Sequence, residues 1–147
     1  MIKQKWGKLI CILLLAVTFV AGFLMDVPDK HTLHETIRNY FFHPALWVVM
    51  MVLFTTSVVN SVFFLRTGRL INDIRAEQYA KTGLLFGLLG LFTGMVWAKY
   101  AWGAFWSGDP KQIGTAVGLL TYFAYFILRA AVQDDTGRAR IAAVYNI

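Results

Sequence analysis

Cysteine and charge are scarce in this sequence. A single cysteine, Cys11, stands among 147 residues. One thiol cannot close an internal disulfide, and no CxxCH stretch is present, so the chain is not itself a c-type cytochrome. Charged residues make up only 15% of the chain, where a soluble domain carries about a quarter. There is no low-complexity tract, no convincing internal repeat and no linker long enough to divide the chain. Residues 1–147 therefore read as one domain.

What replaces charge is apolar bulk. Hydrophobic residues account for 58% of the sequence, and mean hydropathy is positive. The apolar residues fall into four runs, about Leu9–Met25, Ala45–Leu65, Thr82–Ala98 and Ile113–Val132. Each is long enough to cross the hydrocarbon core as a helix. Lipid offers backbone groups no water, and helices satisfy those groups internally. The expected fold is an all-α integral membrane protein with four transmembrane helices. Lys3, Lys5 and Lys8 precede the first run as they would in a secretory signal. That run exceeds the usual signal length and has no clean small-x-small site before Asp26, so it reads as an uncleaved anchor.

The formal charge is +6, which by itself invites a nucleic-acid reading. The distribution argues for membrane topology instead, because Lys and Arg accumulate in cytoplasmic loops. Lys3, Lys5 and Lys8 fall on one side with Arg66, Arg69, Arg75 and Lys81 and with Arg129, Arg138 and Arg140. Lys30, Arg38, Lys99 and Lys111 fall on the other. The N-terminus is thus expected in the cytoplasm, with Asp26–Pro44 and Lys99–Gln112 outside. Arg66–Lys81 reads as a solvated cytoplasmic turn with some helical character.

Within the spans, Gly83, Gly87, Gly90 and Gly94 share one helical face and form motifs of the GxxxG type. Helix packing is the plain reading of that face, and admission of a flat ligand is the sharper one. Gly114 and Gly118 offer a similar face on the fourth span. Thr55, Thr56, Ser57, Asn60 and Ser61 can bond along their helix or across to a neighbour, with Asn60 facing protein. Arg129, near the cytoplasmic end of the fourth span, can snorkel to the headgroups.

The chemistry-bearing residues lie in the two outer loops. His43-Pro44 opens the second span, since proline suits the first turn of a helix. There His43 points toward the interface, either as an axial ligand for haem iron or as an interfacial histidine bonded to water. His31 and His34 share a face if helical. They read either as a metal-binding pair or, more simply, as part of a solvated amphipathic segment, His31–Tyr40. Trp102, Phe105 and Trp106 stand close together. If their segment is helical, the two indoles share a face that can stack on a porphyrin; the alternative is an aromatic belt at the membrane interface. Asp109-Pro110 is an N-cap followed by a first helical residue. Lys99 and Lys111 can pair with carboxylates such as haem propionates or with lipid phosphates. No histidine lies inside a span, which argues against an electron carrier with intramembrane bis-histidine haem.

The run Trp102-Gly103-Ala104-Phe105-Trp106-Ser107-Gly108-Asp109-Pro110-Lys111 resembles the tryptophan-rich WGxxWxWD motif of haem-handling proteins. Together with His43-Pro44 and the stretch Arg138–Tyr145, it makes the chain resemble the CcmC family, the haem exporter protein C of cytochrome c maturation. The Asp-Pro-Lys element is also close to the related CcsA proteins. The resemblance runs over essentially the whole chain. It implies transient, non-covalent haem binding at the periplasmic face of a bacterial inner membrane, without a classical catalysed reaction. His43 becomes the first axial ligand, and Trp102, Gly103, Trp106 and Asp109 the haem-presenting motif. The implied partners are the haem chaperone CcmE and the CcmA, CcmB and CcmD subunits. Gly108 stands where the family usually has tryptophan. Family members have six spans and a second periplasmic histidine, which this sequence lacks. The chain is expected to be either a fragment or a shortened paralogue. The alternative to haem handling is a cofactor-free structural or transport subunit of a membrane complex.

Overall fold

The computed structural model describes residues 2–28, 31 and 34–147. Lys30, one of the basic residues assigned to the outer side, lies outside the described residues, as do the side chains of Lys3 and His34. Five α-helices and one 3-10 helix make up the described structure. They are α1 (Ile2–Leu24), the 3-10 segment His34–Phe41, α2 (His43–Thr67), α3 (Leu70–Trp102), α4 (Pro110–Ala131) and α5 (Asp135–Tyr145). No strand occurs among the described residues. Four segments are long and apolar enough to cross a membrane: Lys5–Leu24, Glu35–Thr67, Leu70–Trp102 and Pro110–Ala131. The expected all-α, four-span architecture is the observed one.

An antiparallel hairpin of α2 and α3 forms the heart of the molecule. Its turn is far tighter than the sequence reading anticipated. Gly68 takes a left-handed conformation (φ 67°), and its N–H bonds the Phe64 carbonyl at 2.8 Å. That closes α2 so abruptly that α3 starts at Leu70. The expected solvated turn at Arg66–Lys81 is therefore mostly helix. α3 has 33 residues and spans roughly 50 Å, well beyond a hydrocarbon core of about 30 Å.

The glycine face of α3 is a packing face along much of its length. A Cβ at Gly83 would lie 2.8 Å from the Phe54 ring, and one at Gly87 would lie 2.9 Å from Met50 Sδ. Ala76 and Ala80, both fully buried, continue the same stripe. Small residues let the two backbones approach, and lipid-immersed helices gain their association from such contact. The Phe54 ring stacks on Tyr122 of α4, with centroids 3.7 Å apart. The matching face expected on α4 has no neighbour: nothing lies within 4 Å of a Cβ at Gly114 or Gly118.

Arg129 overturns a second expectation. It does not snorkel; its side chain is only 6% exposed. Both terminal nitrogens bond Asp73, at 2.7 and 2.9 Å, and Nη2 also reaches Glu77 at 2.9 Å. Asp73 and Glu77 stand one turn apart on the early part of α3. An arginine fork pairs with them at lower cost than it would stay buried alone. α5 closes this end of the bundle. Asn146 donates to Ser57 and Ser61, and Ser57 donates to the Ala76 carbonyl at 2.7 Å. Asn60 is half-buried and bonds back to Thr56 on its own helix.

α1 stands apart. It meets the rest of the described molecule only through the 3-10 segment and Phe42. Arg38 donates to the Gly22 and Met25 carbonyls at the C-terminal end of α1 and pairs with Glu35. A cation at that end complements the carbonyls that α1 leaves open.

Candidate functional site

The end of the bundle opposite the Arg129 cluster holds a cavity of about 540 Å³ between α2, α3 and α4. That size is typical of ligand sites. The cavity exists because α4 leaves α3 by way of a seven-residue link, 103–109, and rejoins it lower down. His43, Trp47, Trp97 and Trp102 supply its ring-bearing wall, Gly90 and Gly94 its closest backbone, and Asp109 and Lys111 its charged rim.

His43 does not point out toward the interface. It is the first residue of α2, and its ring turns inward onto α3, half-buried. A Cβ at Gly94 would lie 2.9 Å from His43 Cε1, so only glycine leaves the ring its place. Trp97 presents an edge-on contact at 5.9 Å between centroids, and Trp47 another at 6.4 Å. Nδ1 lies 3.0 Å from the Thr93 hydroxyl. Two pairs at i, i+4 spacing, His43 with Trp47 and Thr93 with Trp97, thus face each other across the α2–α3 groove. Asn39 donates to the Thr93 carbonyl at 2.8 Å and pins the preceding segment to the same turn of α3.

The aromatic motif is divided by its own glycine. Gly103 is left-handed (φ 83°) and ends α3 at Trp102, with its N–H bonded to the Lys99 carbonyl. Helix does not continue to Trp106, so the two indoles do not share a helical face. Trp102 lines the cavity; Phe105 and Trp106 are exposed and outside its wall. Lys99 is also turned away: Nζ donates to the Gly103 carbonyl at 2.9 Å and lies over the Phe105 ring at 5.8 Å. Asp109 performs the expected N-cap role, accepting from the Lys111 N–H at 2.8 Å, and Pro110 opens α4. Lys111 faces the cavity. His31 is exposed.

Gln112, Thr93 and Trp97 were not singled out by sequence reasoning. Buried Gln112 organises the link: its Oε1 accepts from the Ser107 N–H and hydroxyl, and its Nε2 donates to the Phe105 carbonyl. Its position one turn past the Asp109 cap was the available signal. Gln112→Leu should loosen residues 103–109 while leaving the helices intact. Amide exchange in that link is expected to rise about tenfold for each 1.4 kcal/mol lost, against unchanged exchange in α2.

A four-span, all-α membrane protein with a Trp-lined cavity beside a helix-opening histidine is the class that these features define. The chain belongs to the CcmC family: the family described as "Heme exporter protein C" matches residues 2–147. The heme exporter protein C of Bradyrhizobium diazoefficiens is 29% identical over 143 residues, covering 97% of this chain and 53% of that protein. The heme exporter protein C of Paracoccus denitrificans is 26% identical, covering 85% of this chain and 51% of its own length. The cytochrome c biogenesis protein CcsA of Adiantum capillus-veneris is 33% identical over 128 residues, covering 80% of this chain and 39% of that protein. The chain spans about half the length of the heme exporter relatives.

Proposed function

We propose that this chain holds haem transiently and non-covalently at the periplasmic face of a bacterial inner membrane, for cytochrome c maturation. The single observation that carries this reading is the imidazole of His43 in the wall of an apolar cavity, between Trp47, Trp97 and the glycine face of α3. Haem is flat, largely apolar and bound through iron, so a site for it needs an aromatic or aliphatic slot and a ring-nitrogen ligand. Gly90 and Gly94 keep the slot open. Trp102 extends the aromatic wall, and Lys111 at the rim offers a cation to a propionate.

Asp109 and Gly103 serve this site indirectly, by capping α4 and terminating α3. Phe105, Trp106 and Lys99 lie outside the cavity wall and suit the surface from which haem is passed on. The receiving chaperone CcmE and the CcmA, CcmB and CcmD subunits are the partners the family relationship suggests. The N-terminus then lies in the cytoplasm, which puts the Arg129 end inside and the His43 end outside. The grouping of basic residues supports this orientation. The chain's role is to position haem, not to transform it.

The test is haem retained by the purified chain in detergent. His43→Ala is expected to lose most of the bound haem or move its Soret band, and Trp102→Ala to weaken retention with the band position kept. Equal occupancy and identical spectra for wild type and His43→Ala would show that His43 is not a ligand.

A further inference from the structure

We propose that Thr93 is a positioning residue that holds His43 in the Nδ1–H tautomer and so turns the Nε2 lone pair over to iron. The inference rests on the reading of His43 as a haem ligand and adds a residue that the tryptophan-rich motif and the helix-opening histidine do not include.

A neutral imidazole has one N–H and one bare nitrogen, and only the bare nitrogen can ligate. Which nitrogen is bare depends on what the other one meets. His43 Nδ1 meets the Thr93 hydroxyl at 3.0 Å. A hydroxyl has a single proton, and the geometry at Thr93 directs it into its own helix: Oγ1 lies 2.9 Å from the Leu89 carbonyl and 3.0 Å from the Gly90 carbonyl. This is the usual back-bonding of threonine in helices. With the proton committed there, Oγ1 offers the imidazole a lone pair, and Nδ1 must donate. Nε2 makes no hydrogen bond among the described residues and would offer its electron pair to an iron held in the cavity that His43 lines.

Thr93 is well held for this task. Its carbonyl takes the Asn39 amide, which fixes the segment leading into His43. Trp97, one turn on, and Trp47 both make edge-on contacts with the imidazole. Outer partners of this type orient metal-binding imidazoles and raise their basicity, and losing one costs about 10- to 100-fold in affinity.

The experiment compares the full chain in detergent as wild type, Thr93→Val, Thr93→Ser and His43→Ala. Each is titrated with ferric haem and then reduced for resonance Raman measurement of the Fe–N(His) stretch. Thr93→Val keeps the side-chain shape and removes the hydroxyl. It is expected to bind haem about tenfold more weakly and to shift the Fe–N stretch, while Thr93→Ser restores both. Should Thr93→Val fail to fold, Thr93→Ala removes the same hydroxyl and enters the same comparison. Wild-type affinity and stretch in the hydroxyl-free variants overturn the proposal. Equal losses in Thr93→Val and Thr93→Ser also overturn it, because packing and not the hydroxyl is then responsible. If His43→Ala retains the wild-type spectrum, the ligand assignment itself is wrong; if only that variant changes, the ligand stands and the role of Thr93 falls.

Discussion

Arg129→Ala should unfold the Gly68 end of the bundle or sharply lower the yield of folded protein. The substitution leaves the Asp73 carboxylate, whose side chain is 7% exposed, without the two bonds that offset its burial. Removing one partner of a buried pair costs about 3–5 kcal/mol, a large share of the stability of a small domain. The reverse change, Asp73→Asn, should cost less. Arg129 would keep Glu77 at 2.9 Å, and an amide oxygen could still accept one of its bonds. Replacing both members by apolar residues of similar volume should recover much of the loss, since the pair's desolvation cost goes with it. Thermal or SDS unfolding in detergent, followed by circular dichroism, tests the order Arg129→Ala, then Asp73→Asn, then the double variant. An Arg129→Ala protein as stable as wild type would mean that the arginine is solvated, as its position near a span end first suggests.

The same chemical change should have opposite signs on two glycine faces. Gly83→Ala puts a methyl 2.8 Å from the Phe54 ring. That ring is stacked on Tyr122 at 3.7 Å and cannot move without breaking the α2–α4 contact. Overpacking of this kind costs about 1–3 kcal/mol. Gly114→Ala meets nothing within 4 Å. There the gain in helix propensity should prevail, with about 0.5–1 kcal/mol of added stability. Unfolding of the two variants side by side is the measurement. A destabilised Gly114→Ala would show that a neighbour covers this face in the membrane.

GxxxG spacing is present on both helices, and nothing in the spacing distinguishes the occupied face from the open one. The candidate site divides in the same manner. Topology brought His43 and the Trp102–Lys111 stretch to one end, and His43, Trp102, Asp109 and Lys111 do share a cavity. The grouping of Trp102 with Trp106 depended on helix continuing past residue 103. A left-handed Gly103 ends it, and the glycine is legible as a stop only once the chain is seen to turn there. Thr93 and Trp97 were invisible because a hydroxyl and an indole inside an apolar run look like ordinary span residues.

Local and compositional information determined the class, the approximate spans, the Asp109-Pro110 helix start and the segregation of basic residues. Each depends on neighbours within about one helical turn, or on transfer of whole segments into lipid, and both are written along the chain. The tertiary structure alone decided the rest. Arg129 meets Asp73 across 56 residues, His43 meets Thr93 across 50, and Asn146 meets Ser57 across 89. Such pairings depend on the rotation of one helix against another. That rotation is set by the sum of many small packing contacts and is not encoded in any single spacing.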